Sequence, residues 1–264
     1  TLCQLRAVGK TVMAVAASAC ATPTGAFDRL TDIADVCRRH GVWLHTDAAH
    51  GGGVLMSRRH RHLLAGLECS DSAVWDAHKM LFVPALCAAV LYRHGDVRFQ
   101  TFRQDAPYLF NPSDPGAAVY DSGTFTFECT KRSTGFGLWG LWSLFGESLF
   151  EDLVDRTFSL AATLYALLEN AEDFVPFGRP EANIVVFRHV PQHLRDASPE
   201  TQNDFQKHLR RSLVQSGKFY IVQTTLDDIV WLRAVVMNPL TTPTDLSELL
   251  DTLRTVGDND RRNT

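Results

Sequence analysis

Several features that mark other classes of protein are missing from this sequence. No run of about 18 consecutive apolar residues occurs, so the sequence predicts no transmembrane helix. Basic residues do not outnumber acidic ones, and a net charge of −4 gives no indication of nucleic-acid binding. The N-terminus has neither the charged nor the apolar region of a secretory signal peptide.

Cysteine is present but is not arranged for metal or disulfide chemistry. The six cysteines are scattered and form no C-x-x-C motif; they are Cys3, Cys20, Cys37, Cys69, Cys87 and Cys129. This pattern predicts neither a metal site nor a disulfide framework. A reducing compartment follows as the expectation, and we predict a cytoplasmic protein.

Lysine is scarce, which makes each lysine informative. Five lysines occur among 26 basic residues, at positions 10, 79, 131, 207 and 218. Arginine therefore supplies most of the surface charge that lysine usually provides. Lys79 stands out because it follows an apolar segment and a histidine, whereas an ordinary solvated lysine needs no such setting.

The first third of the chain has the pattern of a strand–helix–strand unit. Residues 12–18 are a continuous run of small, mostly apolar residues, typical of a buried parallel strand. Residues 28–40 carry apolar side chains at helical spacing, with Asp28 as the predicted N-cap. Strand 42–46 then leads to Asp47. With 264 residues, 45% of them hydrophobic, the chain is long enough for a packed α/β core.

Two polar groups follow predicted strands and suggest a cofactor site. Asp47 ends one strand, and Lys79 follows strand 71–76, 32 residues further on. In α/β sheets such groups meet in the crevice at the carboxyl ends of the strands. A lysine amine can form a Schiff base with pyridoxal 5′-phosphate (PLP), and a carboxylate can keep the pyridinium nitrogen of that cofactor protonated.

The segments around these residues resemble a known family. His45-Thr46-Asp47-Ala48-Ala49-His50-Gly51-Gly52 and Asp76-Ala77-His78-Lys79 are similar to the signature segments of the group II PLP-dependent amino-acid decarboxylases. The resemblance extends from about Val12 to about Leu250. It implies PLP fold type I, that is, a mostly parallel α/β large domain followed by a small α+β domain.

The resemblance also implies roles for individual residues. Lys79 would carry PLP, Asp47 would pair with its ring nitrogen, and Ala49 would leave room for the flat ring. His78 matches a residue that contacts the cofactor phosphate. Thr22 is the one threonine kept in a turn that usually reads Gly-Thr-Thr-x-x-Gly, where Cys20 and Ala21 stand instead of the first two residues.

One further candidate, Tyr108, falls in a segment whose pattern is unlike the rest, and another, Thr130, follows that segment. Residues 103–124 have no helical or alternating period, which is typical of a long functional loop. The resemblance places a catalytic tyrosine here, and Tyr108 follows Lys79 by the family spacing of 29 residues. Thr130 would lie near the cofactor phosphate; a charged, solvent-facing helix start is the alternative for that segment.

Candidate substrate contacts are less specific. His50 stands where relatives often have tyrosine, and it either touches the substrate or is a hydrogen-bonded structural histidine. Arg233 lies in an apolar strand and needs a partner if it is buried. It either binds a distal group of the substrate or is structural. The basic cluster at residues 57–62 could bind an anion, but a solvated surface is favoured.

The remaining pattern predicts further elements and the domain limits. We expect a buried strand at 86–92, a long helical region from Gly137 to about Asn170, and a terminal module; its predicted elements are strand 183–189, helix 202–216, strand 219–224, strand 229–236 and helix 243–255. The predicted domains are a partial large domain at 1–150, a linking helix with the small domain at 151–256, and a disordered tail at 257–264.

The predicted function is decarboxylation of an L-amino acid to the amine and CO2, in a homodimer whose active site lies at the subunit interface. No nucleic-acid or membrane partner is expected. The chain resembles the C-terminal half to two-thirds of a family member. Two alternatives remain: a truncated, non-catalytic homologue that acts as a dimer partner, and an enzyme that couples decarboxylation to aldehyde formation.

Overall fold

A computed structural model describes residues 1–102, 121–124, 126–128 and 131–261. The helices are α1 (Leu2–Ala7), α2 (Leu30–His40), α3 (Val97–Thr101), α4 (Gly135–Glu169), α5 (Pro199–Gln215) and α6 (Pro243–Arg261). The strands are β1 (Ala14–Ser18), β2 (Trp43–Ala48), β3 (Ser72–Asp76), β4 (Ala88–Tyr92), β5 (Phe174–Pro176), β6 (Ile184–His189), β7 (Val222–Leu226) and β8 (Ile229–Val235). In the described ranges no helix is both long and apolar enough to cross a bilayer.

The first sheet has the order β1-β2-β3-β4. β1, β2 and β3 are parallel, and β4 is antiparallel to β3. Helix α2 connects β1 to β2, so the predicted strand–helix–strand unit is confirmed. Parallel neighbours end at the same edge of a sheet, and this brings the segments after Ser18, Ala48 and Asp76 together.

Helix α2 forms where its apolar spacing predicts it. Leu30, Ala34 and Cys37 are buried on one face, and the helix ends at Gly41, whose φ of 58° is left-handed. The predicted N-cap is wrong, because Arg29 occupies that position without a side-chain hydrogen bond. Asp28 instead accepts a 2.7 Å hydrogen bond from the backbone N–H of Ser18, which ties the start of the helix to the end of β1.

Strand β4 is present but is not buried as predicted. Val90 is 55% exposed and Leu91 is 53% exposed. The apolar composition was correctly assigned to a strand, but β4 pairs only with β3 among the described strands. Composition alone cannot distinguish a strand covered on both faces from one whose faces are left open.

Helix α4 joins two hydrophobic cores. Phe150, Val154 and Phe158 belong to the core of the first sheet, whereas Leu164 and Leu168 belong to the core beneath the second sheet. The backbone breaks at Gly146, where φ is 72° and ψ is −171°. The predicted limit at residues 150 and 151 therefore falls inside this helix, and the assignment of two domains stays a prediction.

The second sheet has the order β5-β6-β8-β7 and is antiparallel. Its predicted strands and helices are all present, and only the three-residue β5 was missed. One face packs on α5 and α6, while Ile184 and Val186 on the other face join the core of the first sheet. The α/β architecture with a small α+β module agrees with the prediction.

The predicted tail begins too early. Helix α6 continues to Arg261, and Gly257 is buried. A Cβ atom at Gly257 would lie 3.2 Å from Phe205 on α5, so the helix is held there by packing that a polar composition does not reveal. Residues 262–264 lie outside the described residues.

The glycines after β2 allow close approach of the backbone. A Cβ atom on Gly51 would lie 2.5 Å from the carbonyl oxygen of Ala19, and one on Gly52 would overlap the ring of Trp75. Gly53 likewise packs against Met80. These three residues bring the segment after Asp47 against the ends of β1 and β3.

Gly51→Ala should therefore destabilise the fold by about 1–3 kcal/mol, the range for overpacking a filled interior. Backbone atoms oppose the new methyl group and cannot move aside as a flexible side chain could. Urea unfolding measures the change. Gly95→Ala is the matched control, since its Cβ would meet nothing within 4 Å. Equal midpoints for the two variants would contradict the packing described for Gly51.

Candidate active site

Asp47 lies near the carboxyl end of β2 with its carboxylate largely uncommitted. Asp47 is exposed, and its Oδ1 atom accepts a 3.1 Å hydrogen bond from the backbone N–H of Ala49. Among the described residues it has no ion-pair partner. The second carboxylate oxygen is therefore available to a ligand at this edge of the sheet.

Lys79 lies just beyond the end of the adjacent strand and is held by one carboxylate. Its Nζ atom is 3.0 Å from Oδ2 of Asp76, the last residue of β3. The Lys79 side chain is 35% exposed and that of Asp76 is 11% exposed. The nearly buried carboxylate orients the amine, while the amine itself remains partly accessible.

His78 is fixed by the backbone of the segment that leads into β4. Its Nδ1 atom is 2.9 Å from the carbonyl oxygen of Cys87 and 3.2 Å from the nitrogen of the same residue. Its Nε2 atom is 3.9 Å from Oδ2 of Asp76. Asp76 is therefore ion-paired with Lys79 and lies near His78, whose ring is held by Cys87.

His50 connects this edge to the second sheet. Its Nε2 atom is 2.8 Å from Oδ1 of Asn183, a fully buried residue that precedes β6. Burial lowers the pKa of His50, the bond to Asn183 opposes that effect, and the nearby cations Lys79 and Arg233 lower it further. Sequence reasoning missed Asn183; its only signal was an amide at the start of an apolar strand.

Arg233 points from β8 toward the first sheet and has no carboxylate partner in the part of the chain that the structure describes. It shares a sheet face with Trp231 and Val235, both of which pack on the first core. Its Nε atom is buried without a hydrogen bond among the described residues, and burial lowers the pKa of the guanidinium. Arg233 is close enough to Cys20 and His50 to affect their charge states.

The turn after β1 contributes small and apolar groups. Burial raises the pKa of Cys20 to about 12, so this thiol stays protonated at neutral pH. Thr22 is exposed in this turn, and Ala49 is half-buried after β2. Tyr108 and Thr130 lie outside the described residues.

The basic cluster at residues 57–62 is part of the packing against α4. Arg58 forms a 3.0 Å ion pair with Glu151, and the ring of His60 stacks on Phe158 at 4.2 Å. Ser57 donates a hydrogen bond to Asp155. These contacts favour a structural role for the cluster over an anion site.

Comparison with known proteins agrees with this geometry. The family profile described as "Pyridoxal-dependent decarboxylase conserved domain" matches residues 2–190. The chain belongs to this family. It is 33% identical over 263 residues to the "Acidic amino acid decarboxylase GADL1" of Mus musculus, in a match that covers 96% of this chain and 48% of the relative.

Solved structures of decarboxylases share the fold. Mouse CSAD in its apo form has a TM-score of 0.87 and 32% identity, covering 97% of this chain and 54% of that one. Oryza sativa TDC, solved with PLP and tryptamine, also has a TM-score of 0.87; at 22% identity, over 96% of this chain and 52% of that one, it bears on the fold alone. This decarboxylase-family chain spans about half the length of the relatives that it matches.

The lowered pKa of His50 predicts how stability depends on pH. Because the folded protein binds this proton less readily than the unfolded chain, stability is lost as pH falls below about 6.5, the value of an unperturbed histidine. Burial also lowers the pKa values of His60 and His189, so they add to the same loss. Wild-type unfolding free energy should therefore decrease between pH 7 and pH 5.

His50→Gln should make that decrease smaller, because glutamine can still donate to Asn183 but takes up no proton. Urea unfolding at both pH values measures the difference. His94→Gln, which replaces an exposed ring, is the control. An unchanged decrease in His50→Gln would contradict the prediction.

Proposed function

We propose that this chain carries the lysine-bearing part of a PLP-dependent decarboxylase that converts an L-amino acid to its amine and CO2. The proposal rests on two groups at the ends of adjacent parallel strands. Asp47 offers a carboxylate without an ion-pair partner among the described residues, and Lys79 offers a partly accessible amine. Family membership supports it. The chain spans about half the length of these relatives, so the activity of the whole protein is part of the proposal.

The donor set fits PLP. Lys79 offers an amine for the cofactor aldehyde, and Asp47 offers a negative charge for a protonated ring nitrogen. His78 would contact the cofactor, Ala49 adds little bulk beside it, and Thr22 is an exposed hydroxyl in the neighbouring turn. The segment with Thr130 remains a proposed phosphate neighbour from family resemblance alone.

When bound, PLP supplies an electron sink for the electrons left on the α-carbon as CO2 departs. The chain's own residues position and charge the groups around it. Asp76 keeps the Lys79 amine in place by an ion pair, and Asp47 stabilises a proton at the opposite side of the site. Tyr108 is proposed, from family spacing, to return a proton to the α-carbon.

Arg233 favours a substrate with an acidic side chain. A decarboxylase gains nothing from a strong cation on the carboxylate that must leave, because such a contact stabilises the ground state. A partly buried guanidinium whose Nε atom has no hydrogen-bond partner among the described residues therefore suits a distal acidic group. The activity named for GADL1, the acidic amino acid decarboxylase, points the same way. His50 would touch the same substrate.

A homodimer with a shared active site, in the cytoplasm, completes the proposal. The early part of α4 exposes apolar rings that a partner surface could cover; they are Phe136, Trp139, Trp142 and Phe145. The cysteines in the described part of the chain are free thiols, which suits a reducing compartment. The non-catalytic and aldehyde-forming alternatives gain no specific support.

Lys79 should be the residue that carries PLP in the full-length protein. Incubation with PLP, borohydride reduction and peptide mapping should find the pyridoxyl group on Lys79, because its partly accessible amine follows β3, the strand beside the one that carries Asp47. Lys79→Arg should abolish the label and Lys207→Arg, on the exposed face of α5, should not. Label found mainly on another lysine would refute the assignment.

Arg233→Met should reduce kcat/KM for glutamate, aspartate or cysteine sulfinate by roughly 10- to 100-fold, the loss of one charge-assisted contact of about 1.5–3 kcal/mol. Steady-state kinetics on acidic and neutral amino acids measures the selectivity. Arg211→Met, on the exposed surface of α5, is the control. Equal losses on acidic and neutral substrates would indicate a structural role for Arg233.

A further inference from the structure

The contact between His50 and Asn183 has a definite hydrogen-bond direction. The Nδ2 atom of Asn183 donates to the carbonyl oxygen of Val236 at 3.4 Å, which leaves Oδ1 toward His50. An amide oxygen can only accept a hydrogen bond. The Nε2 atom of His50, at 2.8 Å, must therefore carry a proton.

Asn183 is well placed to impose this direction. It is fully buried, and its own carbonyl oxygen accepts a 2.8 Å hydrogen bond from the backbone N–H of Val236. Both its backbone and its amide are thus tied to the residue after β8. Rotation of the amide by 180° would place Nδ2 toward His50 and Oδ1 against the carbonyl oxygen of Val236. Two acceptor oxygens repel each other, so this rotation is unfavourable.

The other nitrogen of His50 is open. Its Nδ1 atom has no hydrogen-bond partner in the described ranges, and this atom is not fully buried. In a neutral imidazole protonated at Nε2, Nδ1 holds the lone pair. Burial and the cations Lys79 and Arg233 lower the pKa of His50, although the bond to Asn183 and the charge of Asp76 oppose them, so the ring is neutral at neutral pH.

We propose that Asn183 is a positioning residue that holds His50 as the Nε2–H tautomer, so that Nδ1 presents an acceptor lone pair to an N–H or O–H group of the substrate. The tautomer follows from geometry alone; only the identity of the bound molecule rests on the proposed function. Through this contact the second sheet determines which hydrogen bonds the first sheet offers at its site edge.

The tautomer can be measured by ¹⁵N NMR on the histidine-labelled full chain at a pH where the rings are neutral. His50 should be protonated at Nε2, with its signal identified by its loss in His50→Gln. His189 is an internal comparison of opposite type, because its Nδ1 atom is 3.0 Å from the carbonyl oxygen of Asp173 and must donate. A His50 ring protonated at Nδ1 would overturn the proposal.

Variants of Asn183 test whether this residue causes the tautomer. Asn183→Leu removes the acceptor, so the His50 spectrum should change to a mixture of both tautomers. Asn183→Asp keeps an acceptor of the same shape and adds a negative charge, so Nε2–H should persist while the pKa of His50 rises. Asn170→Asp, at the exposed end of α4, should change neither property.

An unchanged tautomer ratio in Asn183→Leu would also overturn the proposal. If Asn183→Leu does not fold, the proposal is still tested by the wild-type tautomer and by the pKa of His50 in Asn183→Asp. A pKa of His50 that does not rise in Asn183→Asp would contradict the proposal. In the active protein, Asn183→Asp should move the acidic limb of the kcat/KM profile upward by the change that NMR measures. Failure to find decarboxylation would defeat the proposed function but leave the tautomer result unaffected.

Discussion

A slip of one residue between β2 and β3 would exchange the faces of every side chain on the slipped strand, because side chains alternate along a strand. The observed register sets Asp47 beside Val74 and Ala48 beside Trp75. The same register brings Asp47, near the end of β2, to the sheet edge where the chain continues from β3 to His78 and Lys79. In β2 the buried positions Leu44, Thr46 and Ala48 alternate with His45 and Asp47 on the less buried face. A slip of one residue would bury Asp47 and expose Leu44, so the hydrophobic core holds the polar edge in place.

The second sheet adds a separate set of constraints at the same edge. Ile184 packs against Gly25, and a Cβ atom added to Gly25 would lie only 3.0 Å from the Cβ atom of Ile184. Asn183 contacts His50, and Arg233 affects the charge state of Cys20. The carboxylate and the amine are thus supplied by the first sheet, while the contacts around them depend on how the two sheets pack together.

Local patterns were sufficient for much of the fold and for part of the site. Helix α2, the parallel strands and the elements of the second sheet each follow from spacing within one segment. The identity of Asp47 and Lys79 as site residues came from motif resemblance together with their places after strands. Asn183 could not be found this way, since its partner is 133 residues distant. The exposure of β4 and the length of α6 likewise depend on which distant surfaces cover them, and the N-cap of α2 depends on competition from β1 for Asp28.

The break at Gly146 separates two mechanical roles within one continuous helical segment. Beyond it, α4 packs against both hydrophobic cores. Before it, the helix carries Phe136, Trp139 and Phe145 on an open surface and is joined to the later part through a glycine whose φ and ψ are non-helical. Leu138 and Leu141, in the same part of the helix, pack against the first core, which contains Ala77 and Met80. A surface that covered the exposed rings would therefore press on the core on either side of Lys79.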